Sequence, residues 1–242
     1  MIVIPMAGLS SRFTKAGYAK PKYMLPLAGK TVFWHSLMSF VRYFESERFL
    51  FIARDVQDTA RFLANEIKEL GIKNYEIVLL DQATSGQAET VELGLERAEV
   101  PMAESLTIFN IDSFRKNFSY PNTEWFLKCS GYLEVFKGEG NNWSYVEPMP
   151  DANGPFVKRT TEKDPISDLC SNGLYYFAQT KYFLEALALE RENFSSNELY
   201  IAPLYNHLLE KKMLVNYHLI EDSETIFCGV PSEYEFLLSE GL

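Results

Sequence analysis

Two cations stand just behind a small-residue turn near the amino end. Arg12 follows Ala7-Gly8-Leu9-Ser10-Ser11, and Lys22 closes the run Lys20-Pro21-Lys22. The turn leaves an apolar segment, Ile2-Val3-Ile4, which reads as a buried strand. Small residues there let the backbone approach a polyphosphate and offer it N–H groups. Arg12 supplies a planar fork of donors and Lys22 a mobile point charge. These types at this spacing predict the binding of a nucleoside triphosphate.

Two further segments carry candidate chemistry. Gln82-Ala83-Thr84-Ser85-Gly86-Gln87 joins a strand end to a helix start. A glutamine amide presents donor and acceptor together and can read a nucleobase edge, while Gly86 would let a base pack against the main chain. The plainer alternative is a helix start capped by Ser85. Asn110-Ile111-Asp112 ends a strand, and a carboxylate there can hold Mg²⁺ against a triphosphate, since the ion wants hard oxygen ligands. A simple strand-end turn uses the same residues. Neither G-x-G-x-x-G nor G-x-x-x-x-G-K-[ST] occurs, which disfavours dinucleotide and P-loop folds.

These segments need a scaffold, and the first half supplies one. Residues 2–6, 49–53, 75–80 and 106–111 are short apolar runs, as expected of strands covered on both faces. Helical patterns at 32–44, 59–70 and 87–98 separate them, and Gly71 should stop the second. Such alternation predicts an α/β fold with a doubly wound, mostly parallel sheet, whose ligands sit beyond the carboxyl ends of the strands. After about residue 128 the rhythm changes. Strands are expected at 131–136, 143–147, 157–162, 172–177 and 215–220, and helices at 181–192, 200–212 and 232–238. The expectation is one domain over 1–242, with a nucleotide-binding half (1–128) and an acceptor-binding half (129–242) that extends the sheet.

Composition narrows the function. A formal charge of −10 argues against a nucleic-acid partner, which would need a broad basic face. No apolar run approaches a membrane span, and a cytoplasmic location is expected. Cys129, Cys170 and Cys228 lack metal or disulfide spacing and are expected to be buried thiols. His35, His207 and His218 are equally scattered.

The run Ala7-Gly8-Leu9-Ser10-Ser11-Arg12-Phe13, followed by Lys20-Pro21-Lys22-Tyr23-Met24-Leu25-Pro26-Leu27, resembles the signature of sugar-phosphate nucleotidyltransferases. The resemblance implies a Rossmann-like nucleotidyltransferase fold whose loop, Ala7 to Ser11, wraps the triphosphate. Arg12 and Lys22 would then be catalytic, Gln82, Gly86 and Gln87 would meet the nucleotide, and Asp112 would bind Mg²⁺. Thr161-Glu162-Lys163 resembles the family's E-K segment, Ser171-Asn172-Gly173-Leu174-Tyr175 its N-x-G strand, and Asn197-Glu198-Leu199-Tyr200 its N-E-Y-Y segment. Acceptor contacts are accordingly expected from Glu162, Lys163, Asn172 and Glu198. Trp143 and Tyr145 are expected in the core.

Two departures stand out. Ser10 replaces the family's usual second glycine. Phe227, in Ile226-Phe227-Cys228-Gly229-Val230-Pro231, occupies the expected place of a second metal carboxylate; Asp222 or a water could substitute. Both departures, with Ile4 to Phe13 and Phe109-Asn110-Ile111-Asp112, resemble a capsule-associated branch of cytidylyltransferases that charge phosphoglutamine. CTP and a phosphorylated small acceptor are the expected partners, and self-association is compatible with the sequence. A sugar-1-phosphate acceptor with UTP, dTTP or CTP is the alternative. Rivals of other classes are a glycosyltransferase consuming a nucleotide-sugar and a non-catalytic nucleotide sensor.

Overall fold

A computed structural model describes residues 1–192 and 198–241. The chain runs β1 (Ile2–Met6), α1 (Ser11–Lys15), a hairpin of β2 (Pro26–Leu27) and β3 (Lys30–Thr31), α2 (Val32–Leu37), β4 (Arg48–Arg54), α3 (Thr59–Leu70), β5 (Asn74–Leu80), α4 (Gln87–Arg97) and β6 (Leu106–Phe109). It continues through β7 (Ser113–Arg115), β8 (Gly131–Lys137), β9 (Ser144–Pro148), β10 (Val157–Glu162) and β11 (Leu169–Phe177). Then follow α5 (Thr180–Glu192), α6 (Leu204–Glu210), β12 (Val215–Leu219), β13 (Thr225–Phe227) and α7 (Pro231–Glu240).

The main sheet has nine strands, with β10-β9-β11-β6-β1-β4-β5 as its spine and β8 and β12 branching from β11. Strands β6, β1, β4 and β5 are parallel, whereas β11 runs antiparallel to β6, β8 and β9. The second half therefore extends the sheet of the first. Side chains alternate across it, as strand periodicity requires. Val3, Leu50 and Ile52 pack on one face with Val91 and Leu95 of α4. Ile2, Ile4, Phe49 and Phe51 pack on the other with Phe33 of α2 and Leu63 and Ile67 of α3. Helices on both faces explain why these strands read as unbroken apolar runs.

Three elements differ from their patterns. The helix expected at 32–44 gives way to a 3₁₀ segment at Met38–Tyr43, where Phe40 leaves helical geometry and Ser39 Oγ accepts the Arg115 N–H at 2.8 Å. The strand expected to reach Ile111 ends at Phe109, because the Asn110 N–H donates to the Gly173 carbonyl at 3.1 Å. The helix expected from 200 begins at Leu204, since the chain just before it is bound elsewhere, as described below. Gly71 does close α3 in the left-handed region, at φ 78°. Among the described residues no helix is long and apolar enough to cross a membrane. The three cysteines are buried free thiols.

Candidate active site

The carboxyl ends of β1 and β6 open onto two adjoining cavities. One, of about 520 Å³, is lined by Ala7, Gly8, Leu9, Ser10, Ser11, Lys22, Ala83 to Gln87, Asp112 and Glu198. The other, of about 490 Å³, is lined by Arg12, Trp143, Ser144, Glu162, Asn172, Tyr200, Phe227 and Glu233, among others. Both sizes suit small-molecule ligands. Gln87, Asn110 and Asp112 line both, so the two cavities meet at one seam. There the Gln87 side-chain N–H donates to Asn110 Oδ1 at 2.5 Å, tying the start of α4 to the end of β6.

The first cavity is built largely from backbone. A Cβ on Gly8 would meet no atom within 4 Å, so nothing inside the protein requires a glycine there. Ser10 adopts a left-handed conformation, φ 50°, which a glycine would reach without strain. Its hydroxyl accepts the Lys22 backbone N–H at 3.3 Å and so helps hold the second cationic segment against the loop. Lys22 Nζ in turn donates to Asp112 Oδ2, and both side chains are about one-fifth exposed.

The opposite wall is a strapped loop. Thr84 and Thr90 hydroxyls both donate to the Gly86 carbonyl at 3.1 Å, and the Ser85 N–H donates to Glu89 at 2.5 Å. Gly86, rather than Ser85, caps α4, with φ 154°. Residue 199 crosses over it: the Leu199 N–H donates to the Ser85 carbonyl at 2.9 Å, and the Ala88 N–H to the Leu199 carbonyl at 3.0 Å. A Cβ at Gly86 would lie 2.5 Å from the Leu199 backbone, so only glycine permits this crossing.

The second cavity is built from side chains. Trp143 and Phe227 rings lie 4.6 Å apart at 53°, each 5.2 Å from the Phe136 ring behind them. Glu162 accepts from Ser144 Oγ, and burial pushes its carboxyl above the ordinary range. Beneath the floor lies an ion cluster. Arg115 Nε donates to the fully buried Glu134 at 2.7 Å and its Nη1 to Glu224 at 2.9 Å, tying the β7–β13 ribbon to β8. Asn172 Nδ2 also donates to Glu134, at 2.7 Å.

Several expected residues fall in unexpected places. Gln82 is exposed, and the cavity wall begins one residue later, at Ala83. Asn172 lines the second cavity and is 1 % exposed; its amide donates to Glu134 and its carbonyl oxygen accepts the Leu174 N–H, so in this structure it braces the cavity floor. Glu198 lines the first cavity, not the second, because the Leu199 crossing carries it there. Lys163 is exposed, with Nζ on the Tyr200 hydroxyl at 2.5 Å, and reaches the second cavity through that ring. Arg12 lines the second cavity and Lys22 the first. Asn197 lies outside the described residues.

Other residues were not anticipated. Trp143 packs against the core cluster of Phe136, Tyr145 and Cys170, as expected, but also lines the cavity, whereas Tyr145 is fully buried. Glu233, the third residue of α7, accepts the Gly229 and Val230 N–H groups at 2.7 and 3.2 Å and faces the Asp112 side of the cavity. A Cβ at Gly229 would lie 2.9 Å from Asp112 Oδ2 and 3.7 Å from Glu233 Oε2, so the two carboxylates flank one glycine. Asp222 lines neither cavity. The local signal for Glu233 was a carboxylate three residues after the residue that starts a helix, with proline at the first helical position. Burial, with Asp112 nearby, pushes the Cys228 thiol up to about 12, which favours its neutral form.

Among the described residues no group of three His, Cys, Asp or Glu side chains is placed to hold a metal. Asp112 alone at the seam suits Mg²⁺ only in the mode where substrate phosphates and waters complete the shell. No protein-family model matches the chain, and no curated protein does. Solved structures do. The inositol-1-phosphate CTP transferase of T. maritima shares the fold at TM-score 0.72 and 16 % identity, covering 99 % of this chain and 94 % of its own. The UTP-bound UGPase of Acinetobacter baumannii does so at TM-score 0.69 and 15 % identity, covering 99 % and 92 %. A nucleoside-diphosphate-sugar pyrophosphorylase from Vibrio cholerae RC9 is 51 % identical over 99 % of this chain and 100 % of its own, with TM-score 0.93. At that identity and coverage, the chain belongs to the pyrophosphorylase-type nucleotidyltransferases and is an enzyme of that kind.

Proposed function

We propose that the enzyme transfers a nucleoside monophosphate, CMP in our reading, from its triphosphate to a phosphorylated small acceptor such as phosphoglutamine, releasing pyrophosphate. The observation that carries this is the seam: two ligand-sized cavities share Asp112, with one cation on each side. The acceptor phosphate oxygen bonds to the α-phosphorus as the bond to the β-phosphate oxygen breaks. An acceptor phosphate needs no general base, so the protein's work is alignment and charge compensation.

Gly8 leaves open space above the loop, into which a triphosphate fits with the backbone of Ala7 to Ser11 against it. Lys22 and Arg12 approach the reacting phosphates from the two sides of the seam. Gly86 and Gln87 lie against the base side of the first cavity. Asp112, with phosphate oxygens and waters, would hold Mg²⁺, which supplies further charge neutralisation when bound. Residues 1–128 are proposed as the nucleotide half and 129–242 as the acceptor half.

The choice of CTP and phosphoglutamine, and of capsule precursor synthesis, rests on the motif resemblance of Ile4 to Phe13 and Phe109 to Asp112. A second reading is a sugar-1-phosphate acceptor with UTP, favoured by the description of the Vibrio cholerae protein as a nucleoside-diphosphate-sugar pyrophosphorylase. Pyrophosphate release with each of four NTPs, against phosphoglutamine and a set of sugar 1-phosphates, separates them. The proposal expects CTP with phosphoglutamine to be fastest; UTP with a hexose 1-phosphate would establish the second reading instead.

A further inference from the structure

The second cavity has an unusual balance for a site that must admit a phosphate ester. Asp112, Glu139, Glu162 and Glu233 line it, against a single basic side chain, Arg12, near the seam. Away from the seam the wall is aromatic and acidic. Trp143 is fixed by its indole N–H, which donates to the Glu139 carbonyl at 3.2 Å, and Phe227 tilts against it. The Glu162 carboxylate stands beside them: Glu162 pairs with Ser144 across β9 and β10, and the Lys163 N–H donates to the Trp143 carbonyl at 2.8 Å. Lys163 lies over the Tyr200 ring, 4.5 Å from its centroid, so that face is already taken by a cation.

Two tilted rings and a carboxylate attract a cation, and attract it more strongly once water is excluded. A purely anionic acceptor would add charge to an acidic wall, whereas a zwitterionic one would offset it. Burial holds the Glu162 carboxyl above its ordinary range, and a neighbouring ligand cation would lower it again. We propose that the acceptor carries a positively charged nitrogen at the end away from its phosphate, received by Trp143, Phe227 and Glu162. This rests on the nucleotidyl-transfer reading above and names the acceptor's class within it.

The test compares matched acceptors with the nucleotide that equilibrium dialysis shows to bind best. Phosphocholine, phosphoethanolamine and phosphoglutamine are set against 3,3-dimethylbutyl phosphate, a neutral isostere of phosphocholine, and glucose 1-phosphate. At least one cationic acceptor should exceed its neutral counterparts in kcat/KM by about tenfold or more. Glu162→Gln and Trp143→Leu should each bring that ratio toward one, with the circular-dichroism spectrum unchanged. Neutral acceptors turned over equally well or better would overturn this inference and leave nucleotidyl transfer standing. Nucleotide binding without turnover of any cationic acceptor would also overturn it. Failure to bind any nucleotide would instead remove the underlying reading, and this inference with it.

Discussion

The two cavities are made by different means. The first is a wall of backbone: a strand end, a turn of small residues in which Ser10 is left-handed, and a strapped loop whose crossing by Leu199 depends on Gly86. The second is a wall of side chains, with Trp143, Phe227 and Glu162 standing on a buried cluster of Arg115, Glu134 and Asn172. A backbone site suits a triphosphate, whose shape varies little among nucleotides. A side-chain site can change specificity without altering the fold. If the second cavity takes the acceptor, as proposed, acceptor choice is set by residues the opening motif does not contain.

The largest expected effect attacks the support of the second wall. Glu134→Ala leaves Arg115 buried without its main partner and should cost about 3–5 kcal/mol of stability, read by urea denaturation. A loss below about 1 kcal/mol would mean the cluster does not hold the acceptor wall. Next comes the seam. Lys22→Ala should lower kcat about 10²–10³-fold with the fold intact, because a charge-compensating group is lost. A fall confined to KM would make Lys22 a binding group only.

A smaller effect sharpens the backbone reading of the first wall. Gly8→Ala has room within the protein, so stability should hold while nucleotide affinity, measured by calorimetry, falls by about tenfold. Unchanged affinity would show that no ligand approaches Gly8. The smallest concerns Ser10→Gly, which relieves a left-handed serine but loses the hydroxyl contact to the Lys22 N–H. These offset, and activity and stability should both stay within about 1 kcal/mol of the parent.

The same contrast explains what could be read in advance. Strands at the start of the chain are buried on both faces by α2, α3 and α4, so their apolar runs marked them and the mostly parallel sheet they form. The turn at Ala7 to Ser11 and the strand-end Asp112 were legible because local spacing alone places them. Glu198 and Asn172 were not, since their positions come from long-range contacts: the Leu199 crossing over Gly86, and the Glu134 cluster. The β7–β13 ribbon that carries Phe227 to the cavity pairs three-residue strands more than a hundred residues apart, and no local pattern announces it. The helical period likewise breaks at Phe40, beside Ser39, whose hydroxyl accepts the N–H of the distant Arg115.

The most direct test of the central claim follows phosphorus by ³¹P NMR, with purified enzyme, CTP, Mg²⁺ and a phosphorylated acceptor. The account predicts pyrophosphate and a new diphosphate-linked product in equal amounts, both dependent on acceptor and both suppressed in Lys22→Ala. Orthophosphate or CDP as the product, or pyrophosphate formed equally well without acceptor, would contradict it.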